Sequence, residues 1–158
     1  MATKAKATKA RKPKRAAKRR AARPAAKKRR QPESLRLREF SASLTVNDLA
    51  RSSAWYRDML GFTEGEQWKE NGQVRGVELK AGRCELMLTQ DDFAKGRDRT
   101  KGLGFRIYLT TAQDIDAIAA RVKAHGHLLD FEPRKTPWGA YAFALTDPDG
   151  YKITMLRE

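Results

Sequence analysis

Acidic residues are missing from the start of the chain: all nineteen lie at or after Glu33, whereas fifteen of the thirty-four Lys and Arg lie at or before Arg30. The nineteen later basic residues cancel the nineteen acids, so the formal net charge of +15 belongs to an N-terminal tail and the body is balanced. Aromatic residues are also missing before Phe40, and Met1 is the only large apolar side chain before Leu35. The single cysteine, Cys84, excludes an internal disulfide framework and fits a reducing compartment. Its place in the strand-like run Arg83-Cys84-Glu85-Leu86-Met87-Leu88 reads as an inert buried thiol. No apolar run approaches the roughly 18 to 20 residues that span a bilayer, and the first thirty residues lack the apolar core of a secretory signal. A soluble, cytoplasmic protein with no membrane partner is expected. Only two histidines occur, His125 and His127, and no serine or cysteine is placed to form a nucleophile-base pair with either. Glycine-rich phosphate loops are absent too.

What the tail does contain is Ala, Lys, Arg, Pro and Thr, with Ala-Thr-Lys-Ala repeated at 2 to 5 and 7 to 10. Such a segment buries too little surface to offset its ordering entropy, and like charges extend it, so residues 1–34 are expected to be disordered. In composition it resembles the lysine- and alanine-rich arms of linker histones and bacterial histone-like proteins. Lys12, Lys14, Arg15, Lys18, Arg19, Arg20, Lys27, Lys28, Arg29 and Arg30 are candidates to contact phosphates of DNA or RNA without sequence preference. Base stacking is excluded by the missing aromatics. An idle solubilising extension and a targeting segment remain alternatives; Lys27-Lys28-Arg29-Arg30 fits a nuclear address in a eukaryote. Nucleic-acid association would make the protein nucleoid-associated.

About 125 residues follow the tail, enough for one compact domain, expected over 35–158. Alternation at Leu35, Leu37, Ala42, Leu44 and Val46 predicts a first strand. A helix follows, capped by Asp48, with Leu49, Ser52, Ser53, Tyr56, Met59 and Leu60 on one face and Gly61 at its end. Three strand-like runs come next, around Phe62 to Lys69, Gln73 to Lys80 and Cys84 to Gln90, separated by Asn71-Gly72 and Ala81-Gly82. After a charged connector the order repeats: a strand at Phe105 to Thr110, a helix from Asp114 to Ala124 closing at Gly126, and strands near His127 to Glu132, Ala140 to Thr146 and Tyr151 to Arg157. The helix-ending glycines lie 65 positions apart, so the body reads as a duplicated βαβββ unit, with modules at about 35–91 and 102–158. The fold class is α+β: two tandem modules curling into a cup-shaped mixed sheet.

Val46-Asn47-Asp48-Leu49, Ser52 and Trp55-Tyr56-Arg57-Asp58-Met59-Leu60-Gly61-Phe62 resemble the first strand and helix of the vicinal oxygen chelate superfamily, which includes glyoxalases, bleomycin-resistance proteins and extradiol dioxygenases. Thr146-Asp147-Pro148-Asp149-Gly150-Tyr151-Lys152-Ile153 resembles its closing hairpin. The resemblance implies a cup whose floor, in the metal-dependent members, holds a divalent ion on residues of the first, fourth, fifth and eighth strands. Here those positions carry Ser41, Glu85, either Phe105 or Arg106, and Thr154. One carboxylate out of four, beside an arginine, does not make a divalent site, so no metal and no other cofactor is expected. Trp55, Tyr56, Leu60 and Phe62 are read as core. His125 is read as a surface histidine at a helix C-terminus.

Members lacking the metal ligands resemble antibiotic-sequestering proteins that bind between two protomers. That implies a homodimer and a small organic ligand. Ligand-contact candidates are Ser41, Ser43, Trp68, Glu85, Met87, Arg106, Tyr108, Trp138, Lys152 and Thr154, with Thr45 and Thr89 on the same strands and the two tryptophans on the rim. Glu85 is either a polar anchor paired with Arg106 or a solvated carboxylate on an open sheet. Three functional readings stand: a metal-independent binding protein, a metal-dependent lyase or dioxygenase of the same superfamily, and a nucleoid-associated or regulatory protein that uses the domain to dimerise or sense a ligand.

Overall fold

The computed structural model describes residues 40–158, which fall within one compact unit, Leu37–Glu158. The expected basic tail and its ten phosphate-contact candidates lie outside the described residues. The first module comprises β1 (Ala42–Val46), α1 (Leu49–Trp55) continued by a π-helical turn (Tyr56–Leu60), β2 (Thr63–Glu70), β3 (Gln73–Ala81) and β4 (Cys84–Gln90). The second repeats the order with β5 (Arg106–Thr111), α2 (Ile115–Ala124), β6 (Leu129–Lys135), β7 (Tyr141–Thr146) and β8 (Lys152–Arg157). Each module folds into its own four-stranded sheet, in the orders β1-β4-β3-β2 and β5-β8-β7-β6. In both, the first strand pairs in parallel with the last and the remaining pairs are antiparallel. The expected tandem βαβββ modules are present, each contributing a four-stranded mixed sheet.

Local chemistry explains the helices. Asp48 is extended (φ −139°) and its Oδ1 accepts from the Arg51 amide at 3.0 Å, satisfying an amide that has no partner within the helix. Asp114 does the same for Asp116 and Ala117. At the far end of the first helix Gly61 adopts φ +81°, a left-handed conformation that costs a residue with a side chain far more than glycine. His125 closes α2, its Nδ1 2.9 Å from the Arg121 carbonyl oxygen.

Strand alternation sends one face of each sheet against the helices. Leu44, Val46, Val77, Leu79, Leu86 and Leu88 in the first module join Phe143, Leu145, Ile153 and Met155 in the second, with Ile115, Ile118 and Val122 of α2, in a single buried cluster. Each fully buried side chain of this size contributes about 1.5–3 kcal/mol before conformational entropy is counted. Trp55, Tyr56 and Phe62 belong to the same cluster, and Leu60 packs against it. Cys84 departs from expectation: it is exposed, because it opens β4 directly after the Gly82 turn, before the buried alternation of that strand begins.

The two modules meet along a seam of hydrogen bonds. Asp147, buried in the closing turn, accepts from the Tyr56 hydroxyl at 2.9 Å with Oδ2 and from the amides of Asp149 and Tyr151 with Oδ1. Asp149 reaches back to the start of the first helix, accepting from the Asn47 amide and the Ser52 hydroxyl, both at 2.6 Å. Burial, reinforced by Asp147, pushes the Tyr56 hydroxyl far above its ordinary value. Burial also raises the Asp147 carboxyl, against the opposing pull of its three donors. Trp55 Nε1 donates to His127 Nδ1 at 3.3 Å, and Arg121 Nε donates to the Met59 carbonyl at 3.0 Å. The connector is fastened by Lys101, whose buried ammonium contacts Asp91 at 2.8 Å and Asn47, while Arg99 holds Asp91 at 2.9 Å. These cations, with the Phe93 amide, hold the Asp91 carboxyl well below the usual carboxylate range. At Gly102 an added Cβ would stand 2.6 Å from the Gly150 carbonyl oxygen, so only glycine lets the connector approach the closing turn.

Candidate functional site

The sheet faces turned away from the core carry the candidate site. In the first module this face is set by register: Ser43 pairs with Met87, Thr45 with Thr89, Glu78 with Met87, Lys80 with Glu85, and Trp68 with Gly76. Ser43 and Thr89 share a hydrogen bond of 3.2 Å. Ser41 is exposed and precedes β1. Trp68 lies near the end of β2, beside the turn at Asn71-Gly72; a Cβ added at Gly76 would come 2.9 Å from its ring, so the missing side chain at 76 gives the indole its seat. Lys80 sits 2.8 Å from Glu78 and 3.9 Å from Glu85, which holds Glu78 below its ordinary carboxyl range and raises Lys80. A cavity of about 500 Å³ opens where Thr45 and Thr89 meet the β2–β3 hairpin and the connector, lined also by Glu70, Arg75, Asp91 and Arg99.

The second module presents three rows across its face. Arg106 pairs with Lys152, and Lys152 with Thr146; Tyr108 pairs with Thr154, Thr154 with Ala144, and Ala144 with Phe131; Thr110 pairs with Leu156, Leu156 with Ala142, and Ala142 with Arg134. Of the two candidates at the start of the fifth strand, Arg106 is the one on this face. Its Nη1 donates to the Thr154 hydroxyl at 3.0 Å, while Phe105 packs edge-to-face on Tyr151. Thr154 is only 2% exposed, so its hydroxyl fixes the guanidinium from below. Lys152 donates to Thr146 at 2.6 Å and lies 3.3 Å from Asp130. Tyr108 is exposed beside Thr154. Trp138 is exposed in the β6–β7 turn, next to the Ala142 end of the strands and away from the Arg106 row, so register does not bring these two candidates together.

Sequence reasoning missed Phe131, Arg134, Ala142 and Ala144. The two alanines were within reach, because they share the parity of Thr154 across β7 and β8. Phe131 and Arg134 were not, because a register irregularity in β6 puts residues three apart on one face, where the Arg134 guanidinium rests 4.8 Å above the Phe131 ring.

The residues at the positions where the superfamily's metal ligands fall do not suit a divalent ion. Ser41 is a weak donor, Glu85 is the one carboxylate, and Arg106 is hydrogen-bonded to Thr154. Among the described residues no three His, Cys, Asp or Glu side chains converge on one point. His125 and His127 are occupied at the helix end and the seam. No helix among the described residues is long and apolar enough to cross a membrane.

Comparison with known proteins follows the same architecture. TioX from Micromonospora sp. ML1 superposes with a TM-score of 0.60 at 20% identity, covering 74% of this chain and 95% of its own. TnmS3, an antibiotic binding protein from Streptomyces sp. CB03234, gives 0.61 at 22% identity over 78% and 98%. Lactoylglutathione lyase from Agrobacterium tumefaciens gives 0.56 at 21% identity over 80% and 96%. A search of curated proteins returns no match. At these identities a binding protein and a lyase are alike in fold alone. The sequence itself adds that residues 39–155 match the profile described as Glyoxalase/Bleomycin resistance protein/Dioxygenase superfamily. With the duplicated βαβββ order and that match over most of its length, the chain belongs to the glyoxalase/bleomycin resistance protein/dioxygenase superfamily.

Proposed function

We propose that the protein is a metal-independent small-molecule binding protein of the glyoxalase/bleomycin-resistance type, working as a homodimer. The observation that carries this is the Arg106–Thr154 hydrogen bond, which occupies two of the four places where the metal-dependent members need ligands. A fixed guanidinium there repels a divalent cation and offers donors to an organic ligand. The similarity to TnmS3, named as an antibiotic binding protein, supports the same class. Exposed aromatic side chains on the open faces, Trp68 and Tyr108, with Trp138 at the edge, suit a ligand closed in by a second copy.

Isothermal titration against a panel of metabolites and glycopeptide drugs, with and without chelator, tests this reading. The expected result is a ligand whose affinity is unchanged by chelation, with no stoichiometric metal by elemental analysis. Binding or turnover that disappears on chelation returns the protein to the lyase and dioxygenase branch. The tail supports a separate proposal from its composition: sequence-independent, salt-sensitive association with nucleic acid. If the full chain and a chain starting at Pro32 bind DNA equally in low salt, that proposal is wrong.

A further inference from the structure

We infer that the ligand is an organic acid, and that Arg106 receives its carboxylate or phosphate-type oxyanion, with Arg134 as a second cationic contact on the same face. This deepens the small-molecule reading and rests on it. Several cations near the open faces and the connector already face a carboxylate: Lys80 has Glu78, Lys152 has Asp130, Arg75 has Glu70, and Lys101 and Arg99 share Asp91. Arg106 donates instead to a neutral hydroxyl, and Arg134 rests on the Phe131 ring; neither forms an ion pair with another described residue. An unpaired cation at a surface is ordinary. Arg106 differs because the buried Thr154 side chain holds its fork in one orientation across the sheet. Guanidinium has five donors, and the bond to Thr154 uses one, leaving the rest for a two-oxygen acceptor.

The surroundings fit such a ligand. Arg106, Arg134 and Lys152 against Asp130 give this face two more positive than negative charges among these residues, three minus one. Between the two arginines β7 contributes only Ala142 and Ala144, so no side chain of that strand longer than a methyl group separates them. The strands that carry them, β5 and β6, stand three interstrand spacings apart, roughly 14 Å. Tyr108 and Phe131 line the two sides with aromatic surface. An aromatic body with an acidic group at one end matches this order of charge, gap and ring.

The test uses the full-length protein and three probes sharing one ring system: 2-naphthoate, 2-naphthyl phosphate and the neutral 2-naphthylmethanol, each titrated by fluorescence or ligand-observed NMR. At least one acid is expected to bind about tenfold tighter than the alcohol, a difference of about 1.4 kcal/mol. The two acids distinguish carboxylate from phosphate. Arg106→Met is expected to bring the preferred acid to within about twofold of the alcohol, and Thr154→Val, which keeps the charge but frees the fork, to remove part of the preference. Lys69→Met, which removes an exposed charge from the first module, controls for general attraction, and the basic tail contributes equally to every variant. Equal binding of acid and alcohol to the wild type, or a preference that survives Arg106→Met, overturns the inference and leaves the small-molecule reading standing. Failure of all three probes to bind also overturns it. If the metabolite and drug panel is silent as well, both readings fall together.

Discussion

Where the two modules meet, polar groups are matched; on the open faces matched pairs such as Lys80–Glu78 and Lys152–Asp130 stand beside arginines with no ion pair among the described residues. At the seam Asp147 takes three donors, Asp149 takes two, and Asp91 takes two cations and an amide. Among the described residues no buried side-chain nitrogen or oxygen lacks a hydrogen-bond partner. On the second face Arg106 and Arg134 form no ion pair with another described residue, and Tyr108 is exposed. A fold gains stability from satisfied buried groups and gains recognition from groups left to be satisfied by a ligand. Stability and binding are therefore expected to separate by location.

The most severe way to break that separation is Asp147→Ala, which strands the Tyr56 hydroxyl and two amides; a loss of about 3–4 kcal/mol in chemical denaturation is expected. Tyr56→Phe removes one of those bonds and leaves Asp147 its amides, so about 1.5–2 kcal/mol is expected by the same measurement. If the two variants cost the same, the turn amides contribute nothing and the seam is weaker than it looks.

Acid stability sharpens the comparison further. Because the Asp91 carboxyl is held below its ordinary range by Lys101 and Arg99, its ionised form stabilises the fold at all pH values above the unfolded value of about 3.9, and this is lost as the pH falls toward the lower folded value. Asp147, raised by burial, has the opposite sign: its contribution favours the fold at low pH and is lost as the pH rises through its folded value. Thermal melts of Asp91→Asn from about pH 2 to 5 are expected to show a flatter acid limb than the wild type. An unchanged limb would mean that the connector pair does not survive in solution. At the small end, Arg106→Met, which takes the donor from the buried Thr154 hydroxyl, is expected to cost about 1 kcal/mol while changing ligand preference.

Much of the framework was readable in the chain. The cap at Asp48, terminal glycines at 61 and 126, and period-two alternation depend on neighbours a few residues away, and they gave the elements to within one or two positions at most ends. The superfamily resemblance pointed to either Phe105 or Arg106 and to Thr154; parity along β5 and β8 puts Arg106 and Thr154 on one face, where they share a hydrogen bond. Long-range pairings were not readable: nothing near Trp55 announces His127, and nothing near Tyr56 announces Asp147. The register irregularity in β6 hid Phe131 and Arg134 for a related reason, since it breaks the alternation on which face assignment depends. Trp68 fell within the strand expected around Phe62 to Lys69, but its seat on Gly76 was not readable, because it depends on pairing with another strand.

Asp149 completes a helix that begins about a hundred residues before it, accepting from Asn47 and Ser52 across sequence separations of 102 and 97. During synthesis, then, the first module leaves the ribosome with the Asn47 amide, the Ser52 hydroxyl and the Tyr56 hydroxyl awaiting their acceptors until the closing turn is made. Contacts of such span slow folding and lengthen the time apolar surface is exposed. A chain cut before Asp147 loses not only its last strand but the fastening of its first helix.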